Sequence, residues 1–543
     1  MLATTALIGV LLTASPVEGN LEVARRYLHL PVHTGAEKSR VKLTTEDGSL
    51  VDEFDIELTG EKPDFHVFLD LRAHRGQTLK IRVEKPPTPT ILDAFVQSDD
   101  LPGAAAMYKE PHRPQFHFTS RRGWLNDPNG LVWQDGEYHL FYQHNPFGWG
   151  WGNMHWGHAT SPDLVHWTEQ PTAISPRAFG DWAFSGSAVE DSKNTGGFQT
   201  GPTPALVAAF TSTGRGECIV YSNDRGRAWT EFEGNPVVKH KGRDPRLLWH
   251  DPTKKWVMAV YDEEGEHRRI AFYTSTDLKA WTFASRIDGF YECPDLFELS
   301  IDGDPNKTLW VLYAADAKYM LGAFDGETFQ PASGPEKLTL WHGAFYAAQT
   351  FSNEPKGRRI QIGWGRGVEF PGSPFNQQMA LPVELSLRTT PDGPRLFANP
   401  VPELEALRVE RHDFSGATLK PNAKPLRDIS GSLFEIEAAV RIGTAEAVEL
   451  SLRGVPVVYD VRKQELSCKD VKIPLLLEDD ELRLHVFLDE GSIEIFAGGG
   501  RAAASIPSIP EDANLEIGAA ARGGEATARV LTAYSLRSIW ANR

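Results

Sequence analysis

Apolar and polar residues alternate with a period of two through the early part of the chain: Phe54, Ile56, Leu58; then Phe65, Val67, Leu69, Leu71; then Leu79, Ile81, Val83. Successive strand residues project to opposite faces, so this pattern predicts half-buried strands. The run PPTPT at 86–90 cannot continue a strand ladder or enter a helix interior and reads as a linker. Residues 21–100 are therefore expected to form a small all-β N-terminal domain.

From Arg113 to about Asn399 short strand patterns follow one another, and one motif recurs: Ser-x-Asp followed by Trp. It appears as SPDLVHW from Ser161, SNDRGRAW from Ser222 and STDLKAW from Ser275, with a degenerate FDGETF from Phe324. Asp163, Asp224, Asp277 and Asp325 are separated by 61, 53 and 48 residues, the period of a four-stranded propeller blade. The Ser and Asp side chains would close a turn on the backbone, and the Trp would pack between neighbouring blades. One unit before each recurrence and one after Asp325 predicts five blades over 112–400. A polar connector, VPELEALRVERHDFSGATLKPNAKPLRD, leads into a third block in which Phe434, Ile436, Ala438, Val440 and Ile442 alternate. Gly and Pro punctuate it about every ten residues, so 412–543 is expected to be a β-sandwich. The predicted class is all-β: a small β-domain, a five-bladed propeller and a C-terminal sandwich.

At 543 residues the chain is long enough for three domains. Hydrophobic residues at 41% and charged residues at 24% exclude a disordered chain. Lys and Arg total 56 against 73 Asp and Glu, a formal charge of −17 that repels nucleic acid and anionic membranes; a neutral or cationic ligand fits better. Cys218, Cys293 and Cys468 are too scattered for a disulfide framework or a CxxC metal site. The apolar run from Leu2 to Ala14 has the length of a signal-peptide core, although the first cationic residue is Arg25. Residues 1–20 are thus expected to be a leader and the protein secreted or periplasmic. The oligomeric state is not legible.

At the centre of a propeller the innermost strands converge, so acidic residues distant in sequence can meet. Three candidates lie on three units: Asp127 in WLNDPNG, Asp244 in GRDPR and Glu292 in YECPD. Retaining glycoside hydrolysis needs one ionised carboxylate as nucleophile and one carboxyl as proton donor, about 5–5.5 Å apart. A third carboxylate beside Arg243 would stay ionised and accept hydrogen bonds from sugar hydroxyls. Singly, each has a plainer reading: NDPNG as an Asx-type turn, RDP as a surface turn, Glu292 as a strand-end charge.

At these residues the sequence resembles glycoside hydrolase family 32, the fructan hydrolases and invertases. The likeness extends through FYQHNP from Phe141, WGNMHWGHATS from Trp151, FSGS from Phe184, AAQTF followed by IGWGR from Ile362, and LHVFLDEGSIEIF in the last block, and so from about Arg113 to the end. The resemblance implies a five-bladed propeller fused to a sandwich and retaining hydrolysis of β-fructofuranosides, without metal or other cofactor. It implies Asp127 as nucleophile, Glu292 as general acid then base, with a raised pKa to hold its proton, and Asp244 as transition-state stabiliser. Trp124, Asn126, Gln143, Trp151, Phe184, Ser185, Arg243 and Trp364 would line the pocket for a terminal fructose of levan, inulin or sucrose, with levanase-like, exo-acting release expected. Trp149 and Trp156 read as core. The N-terminal domain departs from the family's two-domain pattern, and covering a propeller edge is the role expected of it. Three rivals remain at this stage: an inverting glycosidase, a fructosyltransferase, and a propeller that binds carbohydrate without catalysis.

Overall fold

The computed structural model describes residues 15–332, 338–421, 426, 429–510 and 514–540. The apolar run Leu2–Ala14, read as a leader core, lies outside them.

The alternating segments of the N-terminal module form two sheets. One has the strand order Val17–Glu22, Thr78–Glu84, Ser39–Thr45, Leu50–Ile56; the other Phe65–Asp70, Tyr27–Val32, Val96–Ser98. Their inward faces, with Leu28, Leu30, Val41, Phe54, Ile81 and Val83, make one buried cluster. The module begins four residues before the expected boundary, because Val17–Glu22 is already paired. The proline run does not leave the module as a linker would. It bends through the 3-10 turn Ile91–Ala94 into a further strand, whose Val96–Ser98 pair with Tyr27–His29.

From Gly123 on, antiparallel sheets follow in chain order. The first three start with Gly123–Gln134, Ala183–Asp191 and Gly242–His250. A ten-stranded sheet holds the groups starting at Asp295–Ile301 and Tyr346–Thr350, joined through one parallel pair, Ile301 with Leu387. These five first strands touch in sequence and the last returns to the first, closing a propeller ring. The recurrent motif builds the same turn each time. Asp163 Oδ1 accepts from the backbone N–H of Val165 and His166, Asp224 from Arg227 and Ala228, and Asp277 from Lys279 and Ala280. Asp325 does the same with Glu327 and Thr328. Leu164, Arg225 and Leu278, the residues after the Asp, take left-handed φ values of 67°, 57° and 63°. Two of the motif tryptophans pack on a neighbouring sheet: Trp229 meets Phe141 edge-on at 5.6 Å, and Trp281 packs on the core between the second and third sheets.

The C-terminal block is a sandwich of an eight-stranded and a five-stranded sheet around a single apolar cluster. The polar connector is not wholly loop: Arg408–Asp413 pairs with the long strand Ala526–Leu536 as an edge strand. Its side chains are mostly exposed on both faces, so it shows no hydrophobic alternation. Several contacts tie propeller to sandwich. Trp341–Gly343 adds a parallel strand to the sandwich sheet. The buried His117 lies 2.7 Å from Asp489 and 3.4 Å from Glu494.

Candidate active site

Four of the five inner strands carry a β-bulge near the end where the acidic residues sit. Regular pairing is interrupted between Leu125 and Pro128, Ala183 and Gly186, Arg243 and Arg246, and Tyr346 and Gln349. The bulged residues include Asn126–Asp127, Phe184–Ser185 and Asp244. An extra residue re-aims side chains that a regular strand would send to its two faces, so side chains from several sheets turn into the ring's mouth. Gly186 is required for this: a Cβ there would lie 1.9 Å from the Ala209 carbonyl oxygen.

Glu292 precedes the strand Asp295–Ile301, in a bend where Glu292 and Cys293 both have positive φ, 32° and 43°; Asp244 is at 68°. Left-handed backbone costs a non-glycine residue about 1–2 kcal/mol, and such strain gathers at functional sites. The bend sends the Glu292 carboxylate toward Arg243 and the Cys293 N–H and thiol toward Asp244.

The three carboxylates form one connected cluster. Asp127 Oδ2 accepts from Ser185 Oγ at 2.6 Å and Oδ1 from Asn126 Nδ2 at 3.1 Å. Cys293 Sγ lies 3.6 Å from Asp127 Oδ2 and 3.4 Å from Asp244 Oδ2, and the Cys293 N–H donates to Asp244 Oδ2 at 3.1 Å. Glu292 Oε2 accepts from Arg243 Nη2 at 2.7 Å and Nε at 3.0 Å, and Oε1 from the Tyr346 hydroxyl at 2.7 Å. Arg243 Nε is also 3.8 Å from Asp244. One guanidinium thus serves two of the carboxylates.

Burial pushes the Asp127 carboxyl above the usual range; the Ser185 and Asn126 bonds oppose this, and the nearby Glu292 adds to it. Asp244 is pushed well up by burial, then by Glu292 and Asp127, against the pull of Arg243. The Cys293 thiol is likewise raised by burial and the surrounding carboxylates, which keeps it a protonated donor to them.

The expected lining residues fall around this cluster. Trp124 Nε1 donates to Asn126 Oδ1, and its ring meets Trp364 at 5.9 Å; Trp364 in turn meets Tyr346 at 6.2 Å and donates to Gln377. Trp151 is exposed by about half, on the glycine-rich turn 146–154, and its ring meets Phe184 at 6.1 Å. Gln143 is buried and donates to the Ala183 carbonyl at 2.9 Å, beside the Phe184–Ser185 bulge. Trp156 is buried and donates to the Phe184 carbonyl. Tyr346, Cys293, Tyr291 and Thr211 join the site without having been singled out in the sequence. Tyr291 accepts from Arg243, and Thr211 Oγ1 accepts the Asp244 N–H at 2.9 Å and donates to the buried Glu217. Tyr291 and Cys293 flank Glu292 in YECPD, the one local hint of their place.

A carboxylate held by a hydroxyl, a second on a cation and a phenol, and a third on a backbone N–H, at a mouth lined with aromatic rings, suit two-carboxylate displacement at a sugar carbon. Residues 117–400 match the family model "Glycosyl hydrolases family 32 N-terminal domain", and 403–535 match "Glycosyl hydrolases family 32 C terminal". The chain is 36% identical to the levanase of Bacillus subtilis over 493 residues, covering 80% of this chain and 72% of that protein. It is 31% identical to the extracellular exo-inulinase of Aspergillus niger over 524 residues, covering 80% and 96%. The crystal structure of exo-inulinase from Aspergillus awamori superposes with a TM-score of 0.72 at 29% identity, covering 80% of this chain and all of that one.

Proposed function

The chain belongs to glycosyl hydrolase family 32, and from that premise we propose how its residues divide the work of a β-fructosidase acting on fructans or sucrose. Asp127 attacks the anomeric C2 of a terminal fructosyl unit. The C2–O bond to the leaving group breaks as Glu292 delivers a proton to the departing oxygen, and a covalent fructosyl–Asp127 ester forms. Glu292 then takes a proton from water, which attacks C2, expels Asp127 and frees fructose with retained configuration.

The observation that carries this reading is the bulge-built cluster, in which Asp127 is held by Ser185 and Asn126 while Arg243 spans Glu292 and Asp244. The Ser185 and Asn126 bonds favour ionised Asp127, as a nucleophile requires. Glu292 rests with both oxygens occupied, by Arg243 and Tyr346. Oε1 accepts one bond, so its second lone-pair site can carry the proton for the leaving oxygen while Tyr346 and Arg243 hold the carboxyl in place. Asp244 accepts hydrogen bonds from fructosyl hydroxyls, and Trp124, Trp151, Phe184 and Trp364 supply apolar walls for the ring. Gln143 acts from behind, holding the strand that carries Phe184 and Ser185.

The preferred reaction is exo-acting release of fructose with a levanase-like substrate range. The relatives named levanase and exo-inulinase support it. Export from the cell is proposed on the relatives named extracellular, together with the apolar run Leu2–Ala14.

Asp127→Asn tests the nucleophile: fructose release is expected to vanish with the fold intact, and undiminished release would remove Asp127 from the role. NMR of freshly formed product tests the stereochemistry, with the β-anomer expected first; the α-anomer first would mean inversion. Chromatography after incubation with levan, inulin and sucrose separately reads the rest. Fructose alone marks exo action, and oligosaccharides mark an endo enzyme.

A further inference from the structure

The N-terminal module lies outside both family models, which match 117–400 and 403–535, yet it reaches the turn that bears Trp151. That turn, PFGWGWGNM at 146–154, contains three glycines and holds a large, half-exposed ring at the mouth of the site. Glycine-rich backbone has much conformational freedom to lose, so the position of Trp151 depends on what pins the turn.

Two pins flank it, and both come from the module strand Leu50–Ile56. Phe147 stacks on Phe54 with ring centroids 3.6 Å apart and planes at 12°, and it is buried in the module's own apolar cluster. Asn153 is bracketed by the backbone of Asp55: the Asp55 N–H donates to Asn153 Oδ1 at 3.0 Å, and Asn153 Nδ2 donates to the Asp55 carbonyl at 2.8 Å. Asn153 Nδ2 also donates to Asn145 Oδ1, which accepts the Phe147 N–H, while Asn145 Nδ2 donates to the Gly150 carbonyl. The two pins are thereby linked through the base of the turn. The same stretch of module reaches the next loop. Arg40, paired with the Asp55 carboxylate, lies 3.4 Å over the ring of Phe179, which meets Trp182 just before Phe184 and Ser185. Beside these contacts, module and propeller part around a cleft of about 1180 Å³ lined by Tyr27, Asp52, Asp70, His144 and Glu169. These contacts fall on the turn that carries Trp151 and on the loop that leads into the strand bearing Phe184.

We propose that the N-terminal module is a positioning element for the fructosyl pocket: through Phe54 and the backbone of Asp55 it holds Phe147 and Asn153, and so sets Trp151 against Phe184. The inference rests on Trp151 being a wall of that pocket, as the proposed function has it. Phe54, Phe147 and Asn153 are positioning residues. Trp151 supplies a surface and no proton or nucleophile, so loosening it weakens substrate binding more than the chemical step.

The test uses the full chain with sucrose as substrate. Asn153→Gly removes the side-chain bonds while keeping the left-handed backbone, φ 41°, free of strain. KM is expected to rise about tenfold, within the order expected for three lost side-chain hydrogen bonds, two of them to the module, with kcat within about twofold. Trp151→Ala is also expected to raise KM, and the double variant W151A/N153G should be no worse than W151A alone, because the pin acts through that ring. Phe147→Leu keeps an apolar group in the module and leaves the turn's backbone alone; it should raise KM about threefold and so keeps the test open if N153G does not fold. Impaired W151A with N153G and F147L at parental KM, or additive effects in the double variant, would overturn the inference alone. Parental KM in W151A would overturn the pocket assignment of Trp151, and the inference with it.

Discussion

The Ser185 hydroxyl makes the shortest hydrogen bond to Asp127, 2.6 Å to Oδ2, and opposes the burial that raises this carboxyl. In Ser185→Ala the ionised carboxylate keeps Asn126 on Oδ1 at 3.1 Å and the weak thiol of Cys293 at 3.6 Å. A hydrogen bond to a charged group contributes about 1.5–3 kcal/mol, and about 1.4 kcal/mol is a factor of ten in the ratio of ionised to protonated carboxyl. The substitution disfavours the ionised form, so at any acidic pH a smaller fraction of the enzyme is competent. The acid limb of kcat/KM should move to higher pH, and activity at a fixed pH on that limb should fall about 10- to 150-fold, with a much smaller loss on the plateau. The assay is kcat/KM for sucrose across the acid-to-neutral range, with Ser185→Thr, which keeps a hydroxyl, expected to restore most of the parental profile. A folded S185A enzyme whose acid limb coincides with the parent's would refute the claim that this hydroxyl sets the ionisation of the nucleophile.

Because the folded state raises the Asp127 carboxyl above its unfolded value, the fold binds more protons than the unfolded chain above about pH 4, and this residue costs stability as pH rises through the window between the two. Asp127→Asn should therefore raise Tm at neutral pH, with the gain shrinking as pH falls toward about 4 and absent below it, as followed by thermal unfolding in a series of buffers. His117 behaves with the opposite sign. Asp489 and Glu494 raise it from 6.5 to about 9 against burial, so its contribution is complete below 6.5 and is lost as pH rises through about 9; His117→Asn should flatten the alkaline loss of stability seen in urea titrations. Gly186→Ala forces a Cβ to within 1.9 Å of a carbonyl oxygen, and denaturant unfolding should show a loss of about 1–3 kcal/mol, with activity reduced because the Phe184–Ser185 bulge must open.

What the sequence determined by itself is what short-range physics writes into it. Period-two burial marks the strands around Phe54, Ile81 and Phe434 whatever lies beyond them. The Ser-x-Asp turns at Asp163, Asp224 and Asp277 close on backbone two to four residues away, so their recurrence exposed the propeller before any contact between sheets was known. Asp127, Asp244 and Glu292 stood out because motifs of known company surround them. Features that depend on distant partners leave no such mark. The edge strand Arg408–Asp413 buries no face and so has no alternation. The proline run reads as an exit because nothing within it says that Val96–Ser98 turns back to Tyr27. Tertiary structure alone decided that Tyr346 meets Glu292 from 54 residues away, that Cys293 meets Asp244 from 49, and that Asn153 meets Asp55 from 98. Such contacts have no period and no spacing rule. They exist because ring closure brings the ends of separate strands to one mouth, and because a bulge in each of four inner strands turns side chains toward it that regular pairing would have sent elsewhere.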